Sequence, residues 1–387
     1  KWRYNNVRAV MPVLSIVNTA IFDSGAIQKL ASSLTQQGVK RPMLVTDQGL
    51  VAAGIVATVT AAAGETGFAA VFDQTPPNPD EDSVTAATKV FKDNDCDGVV
   101  GLGGGSSMDL AKAVALMASH EGPLEKYGAS VRGMRLITKT CPIIAIPTTS
   151  GTGSEVSVGA VVVLNNGRKE TFVSPHLIPG VAICDPDLTL GLPAGLTAAT
   201  GMDAVTHCIE AILVPTVNPP LEAIAYDGVE RAIGMGWLEK AVADGSDRDA
   251  RWHMMMASVE GALAFAKGLG AVHALSHSCG RLPGLKLHHG ALNALFLPAV
   301  LRFSEGAAPE KYARLKRVMG LAPTDDLADA IAALNARLGI VPKLSSLGVT
   351  RDMFPEIVSY ALGDLAHLSA LKKPTAEEYE ALVEAVF

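Results

Sequence analysis

Paired cysteines are absent from this chain. Its five cysteines, Cys96, Cys141, Cys184, Cys208 and Cys279, are odd in number, scattered, and form no C-x-x-C pair. That pattern excludes a disulfide framework and reads as reduced thiols in a cytoplasm. Basic runs are also missing, and with a net charge of −7 and a pI of about 5.7 a nucleic-acid surface is excluded. No uninterrupted apolar stretch approaches the ~20 residues that span a bilayer, and no signal-peptide pattern is present. Aromatics make up only 5% of the residues. What remains is abundant Ala, Gly and Val, which suits an α/β protein with close helix–sheet contacts. At 387 residues the chain is long for one domain, comfortable for two, and buries a large core without staples.

The first half alternates short apolar runs with helical stretches. Strand-like runs at 42–46, 68–72, 98–100, 142–146 and 181–184 flank helical segments such as 83–94 and 107–119. This alternation predicts a doubly wound, mostly parallel sheet, in which ligands bind at the carboxyl ends of strands. Residues 160–164 followed by Asn165-Asn166-Gly167 read as a hairpin. After Asp185-Pro186-Asp187 the texture changes, and from about Leu192 helical periodicity dominates. The expectation is an α/β domain over 1–190 and an all-α domain over 191–387. No internal repeat or low-complexity segment is present.

At the end of the third of these runs stands Gly101-Leu102-Gly103-Gly104-Gly105-Ser106-Ser107. Glycines let backbone N–H groups approach a pyrophosphate, and the helix that follows adds a favourable field. Ser107 is expected to cap that helix. The spacing is G-x-G-x-x-S, so it departs from the dinucleotide fingerprint, and no Lys-Ser/Thr follows as in an ATP P-loop. A bare tight turn would need fewer glycines. Asp47 closes the first strong strand, where a carboxylate would bind adenosine ribose hydroxyls and favour NAD over NADP; the plainer reading is an Asp-x-Gly turn. Asp47 precedes the glycine run, whereas the common fold places the acid about 20 residues after it. Either the strand order differs or Asp47 is only a turn.

Histidine is sparse, yet five of the nine fall in three clusters. Asp203 and His207 are spaced i, i+4, as are His273 and His277, each pair in a stretch that reads as helix. Residues four apart share a helix face, so each pair presents its ligands together. His288-His289 follows about one loop later. Imidazole and carboxylate without thiolate suit Fe²⁺ or Zn²⁺. A single histidine on an alanine-rich helix is most often a satisfied core or surface residue; two pairs and a third element within 90 residues are not so easily dismissed. Spacing alone leaves open whether His277 or His289 is the fourth ligand, and whether His288 replaces His289. A nucleotide domain joined to a metal-bearing helical domain implies hydride transfer between NAD(P) and an alcohol bound to the metal.

Several segments carry a family resemblance. They are Gly103-Gly104-Gly105-Ser106 with Asp109 and Lys112; Pro147 to Glu155; Ala199 to Ala204 with His207 and Glu210; and Gly270 to His273 through His277 to His289-Gly290. The chain resembles the iron-containing (group III) alcohol dehydrogenases from about residue 10 to 340. The resemblance implies an N-terminal nucleotide domain, a helical metal domain, NAD and Fe²⁺ (or Zn²⁺) as cofactors, an alcohol or aldehyde substrate and a homodimer. It assigns Asp203, His207, His273 and His289 as metal ligands, and His277 as a cleft histidine that relays a proton. It carries nucleotide contacts to Asp47, Asn78, Gly104, Gly105, Ser106, Thr148, Thr149, Ser157 and Lys169. Within the family, Leu190 to Asp203, Asn218-Pro219-Pro220, Asp247 to Arg251 and Leu287 to Gly290 are similar to 4-hydroxybutyrate dehydrogenases. Gly363 to Ala370 departs from the family pattern, lacking its Asn-Pro. For a carboxylate-bearing substrate, Arg281 and Lys286 are the candidate anchors.

Three rival readings are weaker. A lyase resembling dehydroquinate synthase needs a dense basic pocket, and no Lys/Arg cluster adjoins the metal residues. Maleylacetate reductases lack the metal ligands that stand here intact. A non-catalytic metal-binding scaffold leaves the glycine run and Thr148-Thr149 unexplained.

Overall fold

The computed structural model describes residues 18–282, 284–340 and 343–387; the first residues of the expected 1–190 domain lie outside these. Eight strands are formed: β1 (Thr19–Phe22), β2 (Pro42–Val45), β3 (Ala70–Phe72), β4 (Gly98–Gly103), β5 (Ile143–Pro147), β6 (Gly159–Val163), β7 (Lys169–Val173) and β8 (Val181–Cys184). Six of them build one sheet in the order β1-β8-β5-β4-β2-β3, parallel throughout. β6 and β7 pair as the expected antiparallel hairpin. β1 was not among the expected strands. It is a four-residue edge strand with exposed Thr19 and Ala20, so it lacks the buried apolar run that marks the others.

Both faces of the sheet are covered. Met43, Val45 and Val99 point into one apolar cluster, while Leu44, Val100 and Leu102 point into the other, the two-residue alternation of a strand buried on both sides. The helices on the first face are α1 (Glu81–Asp93) and α2 (Gly105–Ser119). Asp80 and Ser83 close α1 with a capping box. A Cβ on Gly101 would lie 2.9 Å from the Ala111 side chain, so only glycine in β4 lets α2 seat this closely.

Strand order answers the question raised by Asp47. The chain moves outward from β2 to β3, then returns to lay β4 on the opposite side of β2. The carboxyl ends of β2 and β4 are therefore neighbours at the point where the winding direction switches, which is where such sheets bind ligands. Asp47 and the glycine run, far apart in sequence, emerge side by side.

Beyond Cys184 the described residues form no strand. The helices that build the site are α3 (Ala194–Leu213), α4 (Arg248–Ala264), α5 (Ala271–Cys279), α6 (His289–Ser304), α7 (Phe354–Gly363) and α8 (Leu365–Ser369). α3 is buried from Thr197 to Leu213 on every face, the position of a central helix. The two halves meet where Val156, Ala182 and Cys184 pack on Met255, Val259 and Ala262 of α4. Arg251 pins the connecting chain. Its buried guanidinium donates to the Leu192 carbonyl (3.1 Å), Thr197 Oγ1 (2.8 Å) and the Gly245 carbonyl (3.0 Å), which satisfies a charge that burial would otherwise penalise.

Candidate active-site cleft

The nucleotide side starts at the end of β4. Gly103 has φ +145°, and a Cβ there would fall 2.7 Å from Ser107 Oγ, so the turn into α2 requires glycine. Gly104, not Ser107, is the N-cap, and no side chain caps the helix. The expectation for Ser107 fails because the helix begins two residues earlier. Ser107 sits in the first turn with its hydroxyl 3.5 Å from Asp47 Oδ2. The free N–H groups of that first turn remain available to an anion. Asp47 has the capping role of a turn residue and also faces the glycine helix. Oδ1 accepts from the Leu50 N–H (3.1 Å) and caps a short helix, while Oδ2 faces the glycine helix.

Thr148 donates its N–H to the Gly103 carbonyl (3.1 Å), which ties the end of β5 to the glycine turn. Thr149 Oγ1 and Ser150 Oγ are buried there without a partner among the described residues. Such orphaned hydroxyls suit a ligand that supplies acceptors. Asn78, exposed at φ +79°, donates its N–H to Ser106 Oγ (3.4 Å) and accepts from Lys169 Nζ (3.2 Å). Ser157 differs from the rest. Its hydroxyl is buried and accepts from Lys112 Nζ (3.2 Å), whose charge also bonds the Ser157 and Gly159 carbonyls. Burial pulls Lys112 down to about 8, with Asp109 and Glu155 opposing. Lys112 and Asp109, which accepts from Ser154 Oγ (2.7 Å) and the Val161 N–H (2.9 Å), brace the loop beneath the glycine helix, a role that spacing did not reveal.

The metal candidates converge although they come from three helices. One ligand atom from each of Asp203, His207, His273 and His289 lies within 4.8 Å of all the others. Asp203 Oδ1 is 3.7 Å from His207 Nε2, 3.9 Å from His273 Nε2 and 3.6 Å from His289 Nε2. Edges of a tetrahedron with bonds of about 2.1 Å measure about 3.4 Å, so the three distances from Asp203 are within a few tenths of an ångström of what a four-coordinate divalent ion needs. His288 is exposed as the N-cap of α6 and takes no part.

Each imidazole is oriented through its other nitrogen. His207 Nδ1 lies 3.2 Å from the Gly151 carbonyl, His273 Nδ1 2.6 Å from Glu210 Oε2, and His289 Nδ1 3.2 Å from Ser276 Oγ. The carbonyl and the carboxylate assign the proton of His207 and His273 to Nδ1, Ser276 Oγ is able to accept from His289 in the same way, and the Nε2 atoms turn toward Asp203. Burial first, and then the neighbouring histidines, hold His273 and His289 well below the ordinary histidine value, which keeps them in the neutral, ligating form. Asn293, one turn after His289 on α6, places its amide nitrogen 2.7 Å from Asp203 Oδ1, 3.1 Å from His273 Nε2 and 3.2 Å from His289 Nε2. Its amide oxygen is buried without a partner among the described residues. Asn293 is not among the expected site residues; its i, i+4 spacing from His289 is the signal that could have found it. Ser276 and Gly151 left no comparable signal.

Glu210 does two things at once. Its carboxylate accepts from the N–H groups of Gly270 (2.9 Å), Val272 (2.8 Å) and His273 (3.4 Å), capping α5, and it holds His273 Nδ1. Burial pushes its pKa up to about 7 against the backbone donors that lower it.

His277 lies outside the four. It stacks on His289 (ring centroids 5.3 Å apart, 13° between planes), is 27% exposed, and places Nδ1 3.1 Å from Asp364 Oδ2. His289 is 30% exposed, whereas Asp203 and His273 are buried, so the cluster opens on this side. Burial works to raise Asp364, but the charge and hydrogen bond of His277 hold it below the usual carboxylate value. Asp364 belongs to the segment that departs from the family pattern, and it caps α8 through the Ala366 N–H. The opposite wall belongs to the sheet half: Lys169 Nζ lies 3.5 Å from where a Cβ on Gly280 would stand.

Comparisons with known proteins agree with this picture. Residues 18–186 match the model described as iron-containing alcohol dehydrogenase, and 197–387 match the Fe-containing alcohol dehydrogenase family, C-terminal. A 4-hydroxybutyrate dehydrogenase from Cupriavidus necator is 50% identical over 374 residues, 94% of this chain and 96% of the relative. The crystal structure of a 1,3-propanediol oxidoreductase is similar with a TM-score of 0.90 and 36% identity, covering 96% of this chain and 98% of that one. A sulfoacetaldehyde reductase from Bifidobacterium kashiwanohense, solved in complex with NAD+, has a TM-score of 0.87 at 28% identity, covering 98% and 99%.

Proposed function

The chain belongs to the iron-containing alcohol dehydrogenase family, and on that premise we propose that it interconverts 4-hydroxybutyrate and succinic semialdehyde with NAD(H). The activity class, metal-dependent NAD(H)-linked alcohol oxidation or aldehyde reduction, is that of the family. The substrate is carried from the relative that is 50% identical. A second reading, a short neutral diol, is favoured by the likeness to 1,3-propanediol oxidoreductase.

The observation that carries the proposal is the convergence of three imidazoles and one carboxylate on a single point, with every Nδ1 already in hydrogen-bond contact. We assign Asp203, His207, His273 and His289 as ligands of Fe²⁺, which Zn²⁺ can replace. When bound, the metal supplies Lewis acidity that lowers the pKa of a substrate hydroxyl, and NAD accepts the hydride. The residues do the rest. Gly104, Gly105 and Ser106 at the start of α2, with Thr148 and Thr149, seat the pyrophosphate. Asp47 takes the ribose hydroxyls and repels a 2′-phosphate. Asn78 and Lys169 border the nicotinamide half, and Ser157 supports it from below. His277, held by Asp364, passes the hydroxyl proton toward solvent from the open side of the cluster.

The division into 1–190 and 191–387 is proposed on the passage from sheet to helix between Cys184 and Ala194. A homodimer is proposed through the edge of β1, which has no second neighbour among the described residues, and a cytoplasmic setting on the five unpaired cysteines. No single helix is long and apolar enough to cross a membrane among the described residues.

The deciding experiment measures NADH release from 4-hydroxybutyrate, 1,3-propanediol and simple alcohols with iron- and zinc-loaded protein. Preference for the neutral diol would replace the substrate. Retention of metal and turnover by Asp203→Ala or His273→Ala after dialysis would remove the metal assignment.

A further inference from the structure

One cation near the cleft makes no side-chain hydrogen bond among the described residues. Arg281 follows α5, the helix that carries His273 and His277. Its side chain is only 19% exposed, yet no hydrogen bond from it is formed among the described residues, and its Nε is buried without a partner. The one carboxylate within 4 Å among the described residues, Asp364 Oδ2, stands 3.9 Å away, close enough for charge attraction and too far for a hydrogen bond. The guanidinium lies over the Tyr360 ring at 5.2 Å, which holds it in place without using its donors. Arginine carries five N–H donors, and desolvating them without acceptors is costly. By contrast, the buried Arg251 satisfies its guanidinium with three acceptors. A structural arginine is built like Arg251, not like Arg281.

The surroundings give the missing acceptor a charge. Lys169 Nζ packs against Gly280, the residue before Arg281. Burial and then the charge of Arg281 press Lys169 below its ordinary value, with Asp109 opposing. The two cations share Asp364, which is already bound to His277, while Lys169 also faces Asp109. Arg281 is thus left with one distant, shared counter-charge on the side where His277 and His289 open.

We propose that Arg281 anchors the carboxylate of a short ω-hydroxy acid or ω-oxo acid, fixing the far end of a substrate whose hydroxyl or aldehyde end lies at the Asp203–histidine cluster. This rests on the activity proposed above. It makes Arg281 the residue that separates carboxylate substrates from neutral diols of equal length, by a fork-like, charge-assisted contact that lysine cannot copy.

The test uses the loaded holoenzyme and compares kcat/KM for 4-hydroxybutyrate with that for 1,4-butanediol in the wild type, Arg281→Ala and Arg281→Lys. Loss of a buried charged contact predicts that the ratio falls on the order of 100-fold in Arg281→Ala, mostly through KM, with a smaller fall in Arg281→Lys. Butyrate, added as a dead-end inhibitor against 1,4-butanediol, should compete in the wild type far more tightly than 1-butanol and lose that advantage in Arg281→Ala. An unchanged ratio with unchanged butyrate inhibition would overturn the anchor while leaving the substrate reading intact. Equal loss on both substrates would also overturn it, since Arg281 would then merely support Asp364. A wild type that ignores 4-hydroxybutyrate but is inhibited by butyrate through Arg281 would keep the anion site and refute only the substrate. If Arg281→Ala does not fold, the butyrate-to-butanol comparison on the wild type and Arg281→Lys still decides.

Discussion

Replacing Glu210 with Gln removes one charge and almost no volume. In the native site the carboxylate is nearly inaccessible, caps α5 through three backbone N–H groups and orients His273 through a 2.6 Å contact with Nδ1. Its pKa stands at about 7, so at pH 8 the native group is an anion. Glutamine offers a single oxygen and presents an NH₂ group to donors that need acceptors. Loss of an outer partner of a ligating histidine costs about 10–100-fold in metal affinity, or about 1.4–2.7 kcal/mol. Truncation to Ala would leave up to three buried N–H donors unpaired at about 1–3 kcal/mol each, a large share of the ~5–15 kcal/mol that holds a typical domain folded. Gln is therefore the informative variant and Ala the destabilising one. The assay is chelator competition at pH 8, with bound iron or zinc quantified directly, beside calorimetric melting of the metal-free protein. A tenfold or greater loss of affinity in Glu210→Gln is expected. Unchanged affinity with a lowered melting temperature would refute the reasoning, because Glu210 would then cap α5 without tuning His273.

Three further outcomes are expected. Asp47→Gly keeps most of the short helix's stability, since glycine is a tolerable N-cap, but the preference for NAD over NADP should shrink about tenfold, or ~1.4 kcal/mol; unchanged steady-state selectivity would remove the ribose role. Burial raises Glu155 from 4.5 to about 7, against a backbone hydrogen bond and Lys112. The folded state thus keeps a proton that the unfolded chain releases above pH 4.5, so stability declines as pH rises from about 4.5 to about 7, by a few kcal/mol at most. Glu155→Gln should flatten that decline in urea titrations across the window. His277→Ala should lower kcat on the order of 100-fold and alter the pH–rate profile, with Asp364→Asn producing a weaker change of the same kind; full activity with an unaltered profile in His277→Ala would show that the relay lies elsewhere.

Much of the fold was legible because local patterns report local structure. Alternating apolar runs mark β2, β4, β5 and β8, and Asn165-Asn166-Gly167 marks the hairpin. β1 escaped because a half-exposed edge strand carries no such pattern. The start of α2 was misjudged at Ser107 because a serine after glycines resembles a cap, while the strained turn at Gly103 lets Gly104 take that place.

The sequence by itself determined the chemical parts: an Asp-His pair and a His-His pair at helical spacing, a glycine run between strand and helix, a carboxylate at a strand end. Spacing along one helix is a local property, so residue order suffices to reveal it. Which parts meet is decided by how helices cross and strands neighbour one another. The approach of α6 to α3 and α5 brings His289 to the point shared by Asp203, His207 and His273, and leaves His277 beside Asp364. The adjacency of β2 and β4 sets Asp47 by the glycine run. Only the fold leaves Arg281 without a hydrogen bond among the described residues near the mouth of the cluster, because whether a cation is satisfied depends on acceptors far away in the chain.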